Sequence, residues 1–408
     1  MLRSLFSGIS GLRAHQQMMD VTGNNIANVN TTGYKSSQTV FQDTLSQMVN
    51  AAGAPQNQSG GTNPAQVGLG VRLASINANF GQGAAQTTGK SSDMMIQGDG
   101  FFVVKSGGES LYTRAGSFTF DANGSLTTPT GQIVQGWGAD NDGIVNTAGV
   151  PGDIRLPIGI SLKPEPTTTF TLTGNLSFEA PANATSTKTI PISVIDANGI
   201  SSTLQVQMIK TGTPGTPWQL SVPDPADPTD PTRNQTYDIP FDAGRAVGEE
   251  VDGEPTDFVT LHGFRIDIKD ITHYAGNTEA RVSNSDGSGA GILSSYTVSN
   301  TGQIVGVFSN GLKQTLGQLA LANFNNVNGL EKIGDSMFRS TVNSGLAQVA
   351  AAGSAGLGLI TSGALEMSNV DLAQEFTNLV IAQRGFQANS RIITTSDEIL
   401  QELVNLKR

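Results

Sequence analysis

The chain of 408 residues lacks cysteine altogether and has few charged and few aromatic residues. Without cysteine it can form neither a disulfide nor a thiolate zinc site, and it has no cysteine nucleophile. It also lacks any run of about 18 apolar residues, so we expect no membrane insertion. Charged residues make up 14% and aromatic residues 6% of the chain, whereas glycine occurs 49 times and proline 17 times. This composition is typical of β-rich chains with many turns, at a length that fits roughly two to four domains.

The chain is also short of basic residues. Its 34 acidic and 23 basic residues give a net charge of −11. A protein that binds nucleic acid needs a basic face to neutralise phosphates, so we expect no nucleic-acid partner. The amino end has one arginine and no apolar core followed by a small-residue cleavage site, so we expect no cleaved secretory signal.

Large apolar residues recur every seven positions at both ends of the chain. Such a repeat keeps one stripe of a helix facing a partner. Neither stripe is wide enough to form a domain alone, so each end must be buried against something else. The predicted polymerisation interface comprises Leu2, Leu5, Ile9, Leu12, Met19 and Ile26 at the amino end, and Leu372, Phe376, Leu379, Phe386, Ile393, Leu400 and Val404 at the carboxyl end.

The ends of these two helices can be predicted from capping chemistry. The first helix is expected over about residues 4–22, because Gly23 and the two asparagines after it are poor helix formers. The last helix is expected to open at Ser368 or Asn369, either of which can cap it. It would end at the chain terminus, where Lys407 and Arg408 suit the helix dipole.

Between the helices the sequence reads as β-structure. Short apolar runs alternate with glycine pairs. Asn123-Gly124 matches a two-residue hairpin turn, and Asp196-Ala197-Asn198-Gly199 suggests another hairpin. A proline-rich stretch over 214–231 predicts a projecting loop rather than a central strand. The fold class is therefore mainly β and multi-domain with α-helical termini, and its domains are nested because both halves of the chain contribute. The predicted domains are a terminal helical coiled-coil domain (1–30 plus 368–408), an extended linker region (31–70 plus 345–367), an inner β-domain (71–144 plus 288–344) and an outer β-domain (145–287).

Two physical interpretations of the terminal helices remain open. An isolated helix of about 20 residues that contains glycine is marginal in water. Ordering each residue costs about 1–2 kcal/mol, which roughly offsets the burial of a few apolar side chains in one helix pair. Packing many copies side by side would favour folding coupled to assembly. Alternatively, both helices lie on the β-domain of their own chain.

Four segments closely resemble the flagellar hook protein family. The resemblance covers both ends and the inner β-domain, roughly half of the chain, and its most specific segments are the last two. The segments are GNNIANVNTTGYKSS (23–37), IQGDGFF (96–102), YTRAGSFTFDANGSL (112–126) and the carboxyl-terminal segment from SNVDLAQEF to NLKR (368–408).

The resemblance implies a structural subunit that polymerises into the hook, a curved flexible tube acting as a universal joint that transmits torque from rod to filament. It implies extracellular assembly beneath a hook cap protein after export by the flagellar type III apparatus. The distal rod protein and a hook–filament junction protein would flank the tube. The resemblance also implies that the two stripes form the inner coiled-coil layer of the tube, around its export channel. It implies that the turn joining this layer to the next includes Asn24, Asn25, Asn28 and Gly33.

Two alternative functions remain open. A distal rod or other axial flagellar protein would share the ends and the inner motifs, but the large middle block favours hook over rod. A secreted β-rich adhesin or binding module would use its terminal helices only for a small oligomer.

The sequence offers little for an enzyme, a cofactor or a metal. His262 and His273 lack an accompanying acidic pattern of zinc-site type. The segment 140–143 resembles part of a calcium loop, but the required first and twelfth ligand positions are glycines. The glycine-rich segment 68–73 lacks the third glycine of a dinucleotide loop and precedes a strand. We therefore predict no catalytic residue, no cofactor and no metal site.

Overall fold

The computed structural model describes residues 2–55, 60–156, 159, 161–181, 186–213, 216–225, 230–251 and 254–405. The chain forms two compact units, and the second is an insertion into the first. The mainly β character with helical termini is confirmed, whereas the finer division into four nested domains stays a prediction. The first unit comprises Met1–Ile158, Tyr296–Gly306 and Gln314–Arg408, and the second comprises Gly159–Ser295 and Val307–Lys313.

Helix α1 spans Leu2–Ala27 at the amino end of the first unit. It continues through Gly23, Asn24 and Asn25, so the prediction that these residues end it was wrong. The physical reason is tertiary: the Asn25 side chain is buried and makes hydrogen bonds outside the helix, which outweighs its weak helix propensity.

Helix α2 spans Leu372–Asn405. The Asp371 carboxylate accepts hydrogen bonds from the amides of Ala373 and Gln374 at 2.9 and 3.3 Å, so Asp371 caps the helix instead of Ser368 or Asn369. The predicted charges at its end, Lys407 and Arg408, lie outside the described residues. Over their described residues, neither helix has the long apolar stretch needed to cross a membrane.

A two-stranded ribbon follows α1 in the chain. It has an inner part, formed by strands β1 and β4, and an outer hairpin, formed by β2 and β3. The segment predicted as an extended linker over 31–70 thus contains paired strands, and the returning linker over 345–367 contains three more. The ribbon strands are β1 (Ser37–Asp43), β2 (Ser46–Asn50), β3 (Ala65–Gly68) and β4 (Val71–Ala78).

The rest of the first unit is antiparallel sheet around an aromatic core. Phe101, Phe324 and Phe338 pack with ring centroids 5.8–6.0 Å apart. The predicted hairpin at Asn123-Gly124 is confirmed, because the flanking strands pair and Gly124 has a φ of +75°. Its turn is longer than the predicted two residues, since the Asp121 amide donates to the Ser125 carbonyl across three residues. The remaining strands of the first unit are Ala85–Thr87, Met94–Gln97, Phe101–Ser106, Glu109–Thr113, Thr119–Phe120, Leu126–Thr127, Ile133–Gly138, Gly152–Asp153, Glu331–Gly334, Met337–Arg339, Gln348–Ala351, Leu359–Ser362 and Ala364–Glu366. Three further strands have residues in both units: Gly291–Val298, Gln303–Phe308 and Lys313–Asn323.

The second unit is a sandwich of two sheets that share one core around Trp218. Alternate residues of its strands are buried, as one-sided burial of a strand requires. The hairpin turn at Asn198-Gly199 is confirmed by the pairing of Ile195 with Ser201. Its strands are Ser161–Leu162, Thr169–Asn175, Lys188–Ile195, Ser201–Thr213, Thr216–Val222, Gln235–Ile239, Phe241–Asp242, Arg245–Ala246, Glu250–Val251, Glu254–Pro255, Phe258–Leu261, Phe264–Thr272 and Arg281–Ser285.

The prediction that the proline-rich stretch of this unit holds no central strand was wrong. Strand Thr216–Val222 contains Pro217 and still lies between two partners, Ser201–Thr213 and Gln235–Ile239. Proline is tolerated because it is the second residue of the strand, where the pairing is irregular between Lys210 and Thr213.

Candidate assembly surface of the terminal helices

The two terminal helices pack against each other in antiparallel fashion. Gly8 of α1 lies beside Ile393 of α2, and Asn25 of α1 bonds Glu375 at the other end of α2. The amino end of α1 therefore lies beside the carboxyl-terminal part of α2, and the carboxyl end of α1 lies beside the start of α2. The prediction that both ends form helices buried against a partner is borne out within the chain for one face of each helix.

This contact, called here the seam, is built from small residues. A Cβ at Gly11 would lie 2.8 Å from the Asn389 amide, and one at Gly385 would lie 2.5 Å from the His15 ring. At both positions only glycine leaves room for the side chain of the facing helix to lie directly against the backbone. The α2 residues of the seam recur every seven positions and are Ala382, Asn389 and Ser396.

The large apolar residues of the predicted interface lie beside the seam. In α1 the predicted residues are half-buried, and the Leu2 side chain is outside the described set. In α2, Leu379, Phe386 and Ile393 are half-buried. The other four α2 residues are 36–67% exposed: Leu372, Phe376, Leu400 and Val404.

The structure reveals a second apolar line on α2 that sequence reasoning missed. Ile381, Ile392 and Ile399 are 43–54% exposed. Their spacings of 11 and 7 residues return them to one helix face, and this spacing was the signal in the sequence. With about 100° per residue, these isoleucines lie about 60–100° to one side of the seam, and Leu379, Phe386 and Ile393 lie about 60° to the other side. We call these lines the isoleucine flank (Ile381, Ile392, Ile399) and the leucine flank (Leu372, Phe376, Leu379, Phe386, Ile393, Val404).

A charged line runs along α2 opposite the seam. All four of its residues are exposed, so water rather than protein surrounds this face in the single chain. The helix therefore has four lines around its circumference: a small-residue seam, two apolar flanks and one polar line. The polar line comprises Arg384, Arg391, Glu398 and Glu402.

Asn25 is the main hydrogen-bonding residue at the end of α1. Its Nδ2 donates to the Ser37 carbonyl at 2.8 Å and to Glu375 Oε1 at 2.9 Å. Its Oδ1 accepts from the Ser37 amide at 2.9 Å and from the Tyr34 hydroxyl at 3.1 Å. All four bonding positions of the side-chain amide are thereby used. This single residue links α1, the start of β1 and the first turn of α2.

The other predicted turn residues have separate roles. Asn24 lies within α1 and donates to the Tyr34 hydroxyl at 3.2 Å, and Asn28 follows the helix and donates to the Asn24 carbonyl at 2.9 Å. Gly33 has a φ of +67°, and a Cβ there would lie 2.5 Å from the Ala115 amide nitrogen. Its own amide donates to the Glu366 carbonyl at 2.7 Å.

A buried charged cluster, also missed from the sequence, lies beside this turn. Lys35 Nζ contacts Glu366 Oε1 at 2.7 Å, and both side chains are completely buried. Arg114 Nη1 lies 3.5 Å from Glu366 Oε2. Lys35 also donates to the Gly81 carbonyl at 2.9 Å. Burial lowers the pKa of Lys35 and of Arg114, although Glu366 opposes both changes. The cluster joins four distant chain segments.

A cleft of about 470 Å³ adjoins this cluster and is lined by Asn24, Tyr34 and Lys332 among others. Lys332 Nζ donates to the Lys35 carbonyl and to Ser37 Oγ, both at 2.9 Å, and lies 5.0 Å from the Tyr34 ring centroid. Burial lowers the pKa of Lys332. Lys332 thus links the turn after α1 to the hairpin of strands Glu331–Gly334 and Met337–Arg339.

The remaining candidates from the sequence serve local structure. His262 Nε2 accepts from the Gln235 amide at 3.1 Å, and His273 Nδ1 lies 2.8 Å from the Leu176 carbonyl. Asp140 Oδ1 accepts from the amides of Asp142 and Ile144, which makes its segment a turn. Within the described residues, no three His, Cys, Asp or Glu side chains are grouped as metal ligands.

Three family models match the chain at its ends and in its β-region. Residues 5–35 match the model described as Flagella basal body rod protein, and residues 95–199 match the Flagellar hook protein FlgE/F/G D1 domain. Residues 361–406 match the Flagellar basal body rod FlgEFG protein C-terminal model. These matches define the class: rod and hook proteins of the bacterial flagellum.

Curated relatives narrow this class. The flagellar hook proteins FlgE of Treponema pallidum and Borreliella burgdorferi are 38% and 39% identical, each over the whole of both chains. The flagellar basal-body rod protein FlgG of Bacillus subtilis is 32% identical over the whole of both chains. The chain belongs to the flagellar hook protein family.

Proposed function

We propose that this chain is the structural subunit of the flagellar hook and polymerises into a curved, flexible tube that transmits torque from rod to filament. The observation that carries the proposal is full-length similarity to hook proteins, combined with terminal helices that leave two apolar flanks exposed. The chain would act as an assembly component, with no catalytic role.

The two flanks suit a closed tubular lattice. Because they lie on opposite sides of the seam, each helix pair can contact a neighbour on either side. Repeated contacts between unlike surfaces generate rings or helical assemblies. Full burial of an exposed isoleucine or phenylalanine is worth about 1.5–3 kcal/mol, so each of these half-exposed side chains would contribute about half of that on assembly. The polar line opposite the seam can then stay in contact with water, as the wall of an open channel requires.

The proposed partners and location follow from the same function. The chain would assemble outside the cell with copies of itself, beneath a hook cap protein. The distal rod protein and a hook–filament junction protein would adjoin the two ends of the tube. Export would use the flagellar type III apparatus without a cleaved signal. The net charge of −11 argues against a nucleic-acid partner.

Polymerisation of the purified chain tests the proposal. Salting out should give tubes visible by electron microscopy, whereas an adhesin module would stay a small oligomer in sedimentation. Phe376→Asp and Ile392→Asp each place a charge on one flank and should abolish tube formation. Gln387→Asp is the matched control, because this exposed residue lies three positions after Arg384 and four before Arg391 on the polar line and should leave assembly intact. Tubes formed by both flank variants would contradict the proposed lattice.

A distal rod subunit is the second candidate, favoured by the full-length similarity to a rod protein. Electron microscopy of cells that lack the gene separates the two. A hook subunit predicts complete rods without hooks or filaments, whereas a rod subunit predicts that the distal rod itself is missing. Normal hooks in such cells would exclude both.

A further inference from the structure

The buried charged cluster of Lys35, Arg114 and Glu366 uses only one of its two carboxylate oxygens for hydrogen bonds. Glu366 Oε1 accepts from Lys35 Nζ at 2.7 Å and from the Gly83 amide at 2.9 Å. Glu366 Oε2 is buried as well, but it accepts no hydrogen bond from the described residues. Arg114 Nη1 lies 3.5 Å from Oε2, beyond the distance of about 2.7–3.2 Å that is usual for an N–H···O hydrogen bond.

The guanidinium of Arg114 has unpaired donors beside this oxygen. Arg114 is only 3% exposed, and its Nη1 and Nε atoms are buried and donate to no acceptor among the described residues. Buried polar groups of folded proteins are nearly always hydrogen-bonded to protein or to ordered water, because a buried unpaired group has lost its hydration without compensation. Unpaired donors and an unpaired acceptor at one buried place therefore indicate a bound molecule.

The chemistry of these atoms selects the molecule that fits. Glu366 Oε2 needs a hydrogen-bond donor, and Arg114 Nη1 needs an acceptor. A halide ion would accept from Arg114, but it would lie against the negative carboxylate. A metal cation would bind the carboxylate, but it would lie against the positive guanidinium. Water both donates and accepts, so it can satisfy both atoms without adding a charge to the cluster.

The cleft of about 470 Å³ beside the cluster provides a source of water. Gly33 and Lys35 both line this cleft. Gly33 lies directly against the backbone of Arg114, since a Cβ at Gly33 would be 2.7 Å from the Arg114 carbonyl carbon. Lys35 in turn contacts Glu366. Because Lys35 borders both the cleft and the cluster, solvent in the cleft lies one side chain away from the unpaired atoms.

We propose that Arg114 Nη1 and Glu366 Oε2 bind a buried water molecule that completes the cluster. The water accepts a hydrogen bond from Nη1 and donates one to Oε2, and Arg114 Nε can donate to a second water. Arg114 and Glu366 are then joined through water, whereas Lys35 contacts Glu366 directly at 2.7 Å. This site goes beyond the proposed function and does not depend on it, because it lies in the interior of a single chain.

A crystal structure of the full chain, at a resolution that shows ordered water, tests the site. We expect a density peak within about 2.7–3.2 Å of both Arg114 Nη1 and Glu366 Oε2. A second crystal grown in bromide separates the candidate occupants, because bromide gives an anomalous signal and water does not. Three results would overturn the proposal: ordered side chains with no peak beside them, a direct hydrogen bond from Arg114 to Oε2, or an anomalous bromide peak at the site.

A second measurement counts long-lived waters in solution by deuteron magnetic relaxation dispersion. Arg114→Met removes the donors and keeps an unbranched side chain, so it should lower the count by at least one. Arg155→Met is the matched control, because Arg155 pairs with Asp153 in the same unit but is 60% exposed, and the count should not change. Fluorescence of the buried Trp137 shows whether each variant is folded. An unchanged count in folded Arg114→Met would contradict the proposal, and if that variant does not fold, the density at the site in the unsubstituted chain decides.

Discussion

Replacement of Glu366 tests the buried cluster that joins the turn after α1 to the β-sheet of the first unit. Glu366→Gln keeps the size of the side chain but leaves the buried charge of Lys35 without its counter-charge and Arg114 with only the more distant Asp99. Breaking a buried ion pair from one side costs about 3–5 kcal/mol. We expect about 3 kcal/mol, the lower value, because the amide oxygen can still accept the hydrogen bond from Lys35.

The two tryptophans make this measurement specific to one unit. Trp137 is buried in the first unit and Trp218 in the second, and the chain has no others. In a Trp218→Phe background, tryptophan fluorescence reports the first unit alone. With a urea dependence of about 1–3 kcal/mol per molar, Glu366→Gln should lower the unfolding midpoint of the first unit by about 1 M or more. In a Trp137→Phe background, the midpoint of the second unit should not move.

Glu109→Gln is the matched control for this experiment. Glu109 contacts Arg339 at 2.6 Å in the same unit, but both side chains are about half exposed. Surface ion pairs contribute about 0–1 kcal/mol, so the midpoint should barely change. If Glu366→Gln shifted the midpoint no more than Glu109→Gln does, the cluster would not stabilise the unit and the reasoning from burial would be refuted.

Three further predictions follow from the described contacts. Gly385→Val should separate the terminal helices, because even a Cβ there lies 2.5 Å from the His15 ring; faster amide hydrogen exchange in α1 of the assembled tube would show this. In the same assay, Asn25→Asp should lower the free energy of opening the end of α1 by about 2–4 kcal/mol, because two donated hydrogen bonds are lost beside Glu375. Asn24→Asp should lower it by less than about 1 kcal/mol. Partial burial raises the pKa of Asp286, but hydrogen bonds from Thr168 and Thr169 hold that pKa below its ordinary value of 3.8. The ionised Asp286 should therefore contribute to the stability of the second unit above about pH 4, and this contribution should be lost as the pH falls through the lowered pKa. Urea unfolding followed by Trp218 fluorescence at pH 6 and pH 3 measures the loss of stability, which should be smaller in Asp286→Asn.

Local sequence signals predicted the parts of the fold that depend on near neighbours. The seven-residue spacing predicted both terminal helices, and the turns at Asn123-Gly124 and Asn198-Gly199 predicted their hairpins. These signals work because turn geometry and helical periodicity are properties of short segments. They failed at Asn25, where bonds to distant residues extend the helix beyond its propensity.

The candidate assembly surface was predicted only in part. Spacing identified the leucine flank but gave no reason to pick Gly8, Gly11 and Gly385 as part of the seam, since a glycine is a close contact only if a group of the facing helix approaches it. The isoleucine flank was detectable as an 11- and 7-residue spacing. It was overlooked because a strict heptad search passes over it.

The sequence by itself determined the helical ends, the β-rich middle and the apolar residues available for assembly, because these follow from composition and short-range periodicity. Only the tertiary structure decided which helix face the chain uses for itself and which faces it leaves open. It also decided that Lys35 and Glu366, 331 positions apart, share one buried contact. These contacts depend on which distant segments come together in the folded chain, and the residue pattern of one segment does not identify the segment against which it will pack.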